Sequence, residues 1–185
     1  MATTYPIVRL NILGETVVFQ GEDVIEAETV HEIHPIGIEL PASTARVRVW
    51  LDDTVEDESG KTLRDKFKPF SDGVYYQALS KGLPIDIYES VDLEIMEVPE
   101  VYVGRFYLDS WKNPAEGEVE FDCVDAIGVM DNIQYFGGFY ETATPVTTIL
   151  NDIFNYTSLL YTIDDAISTK TISGYLPGNT SLRET

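Results

Sequence analysis

The sequence predicts a mainly β fold with short helices: a β domain over residues 1–136, then the beginning of a second, truncated α+β domain over 137–185. Three observations carry this. Apolar residues recur at every second position through the first three quarters of the chain, the signature of strands with one buried face. After Asp125 the period changes toward that of helices. The chain is also rich in aromatic residues, with eleven Tyr, eight Phe and two Trp, which suit pleated, half-buried surfaces.

The strands follow in order. Pro6 to Leu13 places Ile7, Val8, Leu10, Ile12 and Leu13 in one run, Gly14-Glu15 reads as a turn, and Val17-Val18-Phe19 pairs back. Val24 to Ile33 is a longer strand. Ser43 to Leu51 alternates most regularly: Ala45, Val47, Val49 and Leu51 face one way, Thr44, Arg46, Arg48 and Trp50 the other. Two arginines and a tryptophan on one face suit a wetted or interface-lining surface. Asp52 to Lys68 is a charged loop with room for a helical turn near Thr62 to Phe67. Pro84 to Tyr88, Leu93 to Val98, Val101 to Trp111 and Glu118 to Val124 complete the strands.

Helical signals then take over. Asp125 can cap a short helix carrying Ile127, Met130 and Ile133, weakened by Gly128. Gly137-Gly138 reads as a flexible joint. Thr144 is placed as N-cap and Pro145 as first residue of a helix whose Val146, Ile149, Leu150, Ile153 and Phe154 form one apolar stripe. Ser181-Leu182-Arg183-Glu184 fits a capping box. A helix announced there and not built leads us to expect that the working protein is longer.

Charge and composition narrow the function. The 185 residues carry 32 acidic against 12 basic side chains, a net charge of −20, which repels phosphate backbones and anionic lipids. Direct nucleic-acid binding is therefore not expected. No apolar run reaches the 18 or so residues of a membrane span, and the N-terminus lacks a signal-peptide layout, so synthesis in the cytoplasm is expected. Cys123, the one cysteine, shares a strand face with Val119 and Phe121 and reads as a small core residue.

No catalytic constellation stands out, and no catalytic, cofactor or metal residue is assigned. His31 and His34, three apart on a strand, point to opposite faces. The Asp52 to Glu58 cluster lacks the spacing of an EF-hand loop and reads as a solvated acidic loop. Gly137-Gly138 has no phosphate-binding motif around it. If the chain instead binds host-surface carbohydrate, Trp50, Tyr107 and Trp111 are the aromatics expected to face the ligand. A wall hydrolase using two carboxylates is the remaining alternative.

Several stretches resemble the N-terminal region of phage tail-tip proteins related to the baseplate hub of contractile-tailed phages. They are Ile25-Glu26-Ala27 with Ile38-Glu39-Leu40-Pro41-Ala42-Ser43-Thr44; Tyr102-Val103-Gly104-Arg105-Phe106-Tyr107-Leu108-Asp109-Ser110-Trp111; Phe121 to Asp131; and Ile172-Ser173-Gly174-Tyr175-Leu176-Pro177 leading to the Ser181 box. The resemblance implies a β-barrel-like first domain, a homotrimeric ring on the tail axis, other tail proteins as neighbours, and a place in the virion tail or a prophage-encoded counterpart. It implies no enzymatic role and no cofactor for this segment.

Overall fold

A computed structural model describes residues 3–31, 41–70, 72–93, 96–97, 100–155, 157, 159, 161–176, 178 and 180–181. It divides into two compact units, the first built from Met1–Glu32 with Ser43–Asp125, the second including Ala126–Thr185.

The first unit holds one antiparallel sheet. Its strands are β1 (Thr3–Ile12), β2 (Glu15–Gln20), β3 (Val24–Val30), β4 (Thr44–Trp50), β5 (Pro84–Leu93), β6 (Met96–Glu97), β7 (Val101–Lys112) and β8 (Glu118–Val124). They run in the order β2-β1-β5-β7-β8-β4-β3, with β6 folded back on β5. β3 comes into contact with β1 although five positions of the order separate their places, so the sheet rolls up. Register shifts between Val24 and Glu26, Ile87 and Tyr88, and Leu108 and Ser110 supply the extra twist and bend that rolling requires. The barrel is open: among the described residues no pairing joins β2 to β3.

The alternation read in the sequence sets the inner face. Val8, Leu10 and Ile12 of β1, Val47 and Val49 of β4, Ile85 and Ile87 of β5, and Val119, Phe121 and Cys123 of β8 all join one core. The β1–β2 turn has Leu13 and Gly14 at φ 53° and 82°, the left-handed pair that a two-residue hairpin of matching twist demands. Glycine takes that conformation freely. Leu13 takes it at a cost and stays exposed.

The connection between β4 and β5 contributes Phe67, Tyr75 and Leu79 to the same core. It carries α1 (Leu63–Lys66) and α2 (Val74–Ala78). Thr62 caps α1: its hydroxyl accepts from the Asp65 amide while the Asp65 carboxylate accepts from the Thr62 amide, the reciprocal arrangement that satisfies two orphan donors. That cap turns Phe67 inward. Its ring is fully buried, edge-on to Tyr75 at 5.4 Å and Phe121 at 6.3 Å, and 6.4 Å from Phe19. Tyr75 in turn donates its hydroxyl to the Glu15 carboxylate, and Lys66 spans from the Tyr75 hydroxyl at 3.3 Å to Asp57 at 2.8 Å.

The second unit contains α3 (Ala126–Asp131), β9 (Gln134–Tyr135), β10 (Gly138–Pro145), α4 (Val146–Phe154), α5 (Asp165–Ser168), β11 (Thr171–Leu176) and β12 (Thr180–Ser181). β9 pairs with β12 and β10 with β11. Ile149 and Ile153 of α4 pack with Tyr135, Met130, Ile133, Tyr140 and Leu176. Mostly β with short helices thus describes the whole chain.

Four details differ from the sequence reading. Pro145 is the N-cap of α4, not its first residue, because β10 runs on to pair Pro145 with Thr171; the Thr144 hydroxyl donates to the Thr142 carbonyl instead of capping. Gly137-Gly138 is a close approach of backbones. A Cβ on Gly137 would lie 3.0 Å from the Gly178 amide nitrogen and the Leu176 carbonyl oxygen. Ser181 ends a strand, its hydroxyl donating to Asp131, and the rest of that capping box lies outside the described residues. So do His34, the Ile38–Leu40 part of the resemblance and the end of the strand read over Val24 to Ile33.

Phe67→Ala is expected to destabilise the chain by about 3–5 kcal/mol, whereas Phe70→Ala, whose ring is 100% exposed, should change stability by less than about 0.5 kcal/mol. Urea denaturation of the two variants measures the contrast.

Candidate interaction surfaces

The outer face of β3, β4, β8 and β7 is a lattice of charges in register. One row runs Glu26, Arg48, Glu120, Lys112, and the next Glu28, Arg46, Asp122, Ser110. Arg46 lies 2.9 Å from Asp122 and 3.5 Å from Glu120, which Lys112 also reaches at 2.7 Å. Arg48 sits 3.8 Å from Glu26 and 3.9 Å from Glu118. Opposite charges directly across strands favour this pairing. Each exposed pair is worth little alone, so the lattice chiefly fixes register and keeps the face wet.

The adjoining outer face of β1, β5 and β7 has another composition. Asp86 is buried and accepts two hydrogen bonds from Arg105, at 2.7 and 2.8 Å. These raise the guanidinium above even its usual range. Arg9 lies 4.4 Å above the Tyr88 ring and 2.6 Å from Glu100, and Tyr88 stands 5.2 Å from Tyr102. Desolvation first, then the negative charge of Asp86, raises the Tyr102 hydroxyl. Tyrosine and arginine grouped in this way are the residue types that anchor protein interfaces.

The three aromatics singled out from the sequence do not share a surface. Trp50 is 42% exposed on the outer face of β4, its indole against Gly117. Trp111 pairs with Phe121 and packs on the core side. Tyr107 is on the outer face but only 6% exposed. The sequence reading did not single out Tyr88 and Tyr102, nor Phe139 and Tyr175. The last two stand directly across the β10–β11 ribbon from each other and are 71% and 68% exposed. In the sequence the adjacent Gly137-Gly138 pair gives no sign that Phe139 stands on a strand.

The acidic loop is internally satisfied. The Asp52 carboxylate accepts from the Thr54 amide and hydroxyl, both at 2.7 Å, and Asp57 from Ser59 and Lys61 as well as Lys66. Among the described residues no group of three His, Cys, Asp or Glu side chains is placed to hold a metal ion. His31 approaches Ser43 at 3.2 Å. A cleft of about 320 Å³ near Arg46, Asp109 and Asp122 includes Cys123 in its wall. Burial first, then Asp122 and Asp109, pushes that thiol up to about 12, so it holds no thiolate near neutral pH. No described helix is long and apolar enough to cross a membrane.

No family model and no curated protein matches the sequence. Among solved structures, the fold is similar to a chain in the lidded Francisella PdpA–VgrG complex, with a TM-score of 0.52, 11% identity and 98% of this chain covered. It is likewise similar to a chain in the half-lidded form of that complex, with a TM-score of 0.53, 11% identity and 96% covered. This chain spans only 24% and 26% of those chains. At such identity the likeness is one of fold.

Two outcomes follow. Hydrogen bonds from Lys68 and Thr62 lower Asp65 from 3.8 to about 2, and Lys66, Ser59 and Lys61 lower Asp57 further. Their stabilising contribution is complete above the ordinary carboxylate range and is lost as pH falls through it toward the folded-state values. An Asp57→Asn/Asp65→Asn variant should therefore be less stable than the parent at pH ~6, with the gap narrowing steadily as pH falls from ~4 toward ~2, read from denaturation midpoints. Iodoacetamide should leave Cys123 unlabelled in the native chain at pH ~8 and label it in urea; native labelling at the unfolded rate would contradict the burial.

Proposed function

We propose that this chain is a noncatalytic structural module of a phage tail tip or of a related contractile injection machine, assembling as a ring, with three copies, beside other tail or spike proteins. The observation that carries the reading is the fold likeness over nearly the whole chain to part of a much longer chain in a PdpA–VgrG complex. The ordered resemblance of its sequence segments to tail-hub proteins agrees with it. On this reading the protein is made in the bacterial cytoplasm and works in the assembled particle.

The surfaces suit such a role. A plugged barrel is a rigid body, the charge lattice keeps one face soluble, and the Arg9–Tyr88–Tyr102–Arg105 cluster offers anchors for a neighbour. The carbohydrate-module alternative gains no support, since its three aromatics lie on different faces or are buried.

Particles purified from a cell that makes this protein test the proposal. Gold-labelled antibody against the chain should mark one end of the tail, with three copies per particle by quantitative mass spectrometry. Absence from particles, or release of soluble fragments from peptidoglycan by the purified chain, would overturn it.

A further inference from the structure

The β10–β11 ribbon is built as half of a sheet. Five of the six residues of β11 are exposed, and among the described residues β11 pairs only with β10. Among the described residues no strand pairs with its far side, which is the template for adding a strand. Two-stranded ribbons are marginal in water on their own, and this one also displays Phe139, Tyr175 and Ile172. A register shift between Tyr140 and Thr144 disrupts the middle of β10, a feature that blunts an edge. β11 is the edge left open.

The first unit has a matching strand. β3 ends the large sheet; it lies near β1, but among the described residues its only hydrogen-bonded strand partner is β4. It exposes Ile25 and Val30 and presents Glu26 and Glu28. β11 carries no charge, and Lys170 stands directly before it. Two β11 edges meeting would set Lys170 residues against apolar strands with no carboxylate to receive them. β11 against β3 sets a cation beside Glu28, while Glu26 already faces Arg48.

We propose that β11 of one copy adds to the β3 edge of a second copy, extending the large sheet across the subunit boundary, with Lys170 facing Glu28. The contact joins two different surfaces, so it is heterologous and can close into a ring. It names the joint for the assembly proposed above and rests on that reading.

Sedimentation velocity on the full chain, with circular dichroism to confirm folding, tests it. Lys170→Glu and Glu28→Lys should each weaken self-association at least about tenfold, and the two together should restore it. The Glu28 variant is the informative one, because general relief of the −20 charge would strengthen association instead. If Lys170→Glu weakens association and Glu28→Lys does not, or if both single variants associate like the parent, the β11–β3 joint is wrong while the ring stands. A parent chain that stays monomeric at every concentration and is absent from particles overturns both.

Discussion

A rolled sheet has an inside, and that inside must be filled. Everything else in the first unit depends on how this chain fills it. Seven strands in series curl until β3 meets β1, and inward side chains from β1, β4, β5 and β8 supply most of the core. Among the described residues the seam between β2 and β3 stays unpaired. The β4–β5 connection adds Phe67 to the core, where its ring packs beside rings from β2, β8 and α2. Burying a whole phenylalanine contributes about 1.5–3 kcal/mol, a large share of a typical net stability. The cap at Thr62 and the Glu15–Tyr75–Lys66–Asp57 chain hold that ring in its place.

Once the interior is fixed, the outer face is free for other uses, and its two halves are used differently. Around β4 and β8 the acidic excess of the chain is woven into a lattice by Arg46, Arg48 and Lys112. Around β1 and β5 arginines stack on or beside tyrosines. A protein with so large a negative charge can associate with its own kind only where charge is locally absent or balanced. The tyrosine-arginine cluster and the uncharged β11 meet that condition.

Legibility in the sequence followed regularity. β4 could be read residue by residue, because a single buried face imposes strict alternation, and Cys123 was placed in the core on the same ground. β5 and β7 were harder: bulges at Ile87/Tyr88 and Leu108/Ser110 shift the alternation partway, and this puts Trp111 on the core side although a steady count would not. Phe67 gave no signal, being one apolar residue in a charged stretch whose role is set by tertiary packing. The polar β10, with Glu141, Thr142 and Thr144, does not read as a strand at all. Residue type alone marks Trp50, Tyr107 and Trp111 in the sequence, and it says nothing about face.

In the proposed assembly, β11 and β3 each gain a second strand partner that neither has among the described residues of the free chain. Amide hydrogen exchange on the free chain and on the chain in its assembled state tests this most directly. The account predicts strong protection of β4 and β8 in both states, with β11 and β3 exchanging quickly when free and slowly when assembled. Equal, slow exchange of β11 in both states would contradict it, as would β4 and β8 amides that exchange as fast as those of the ribbon.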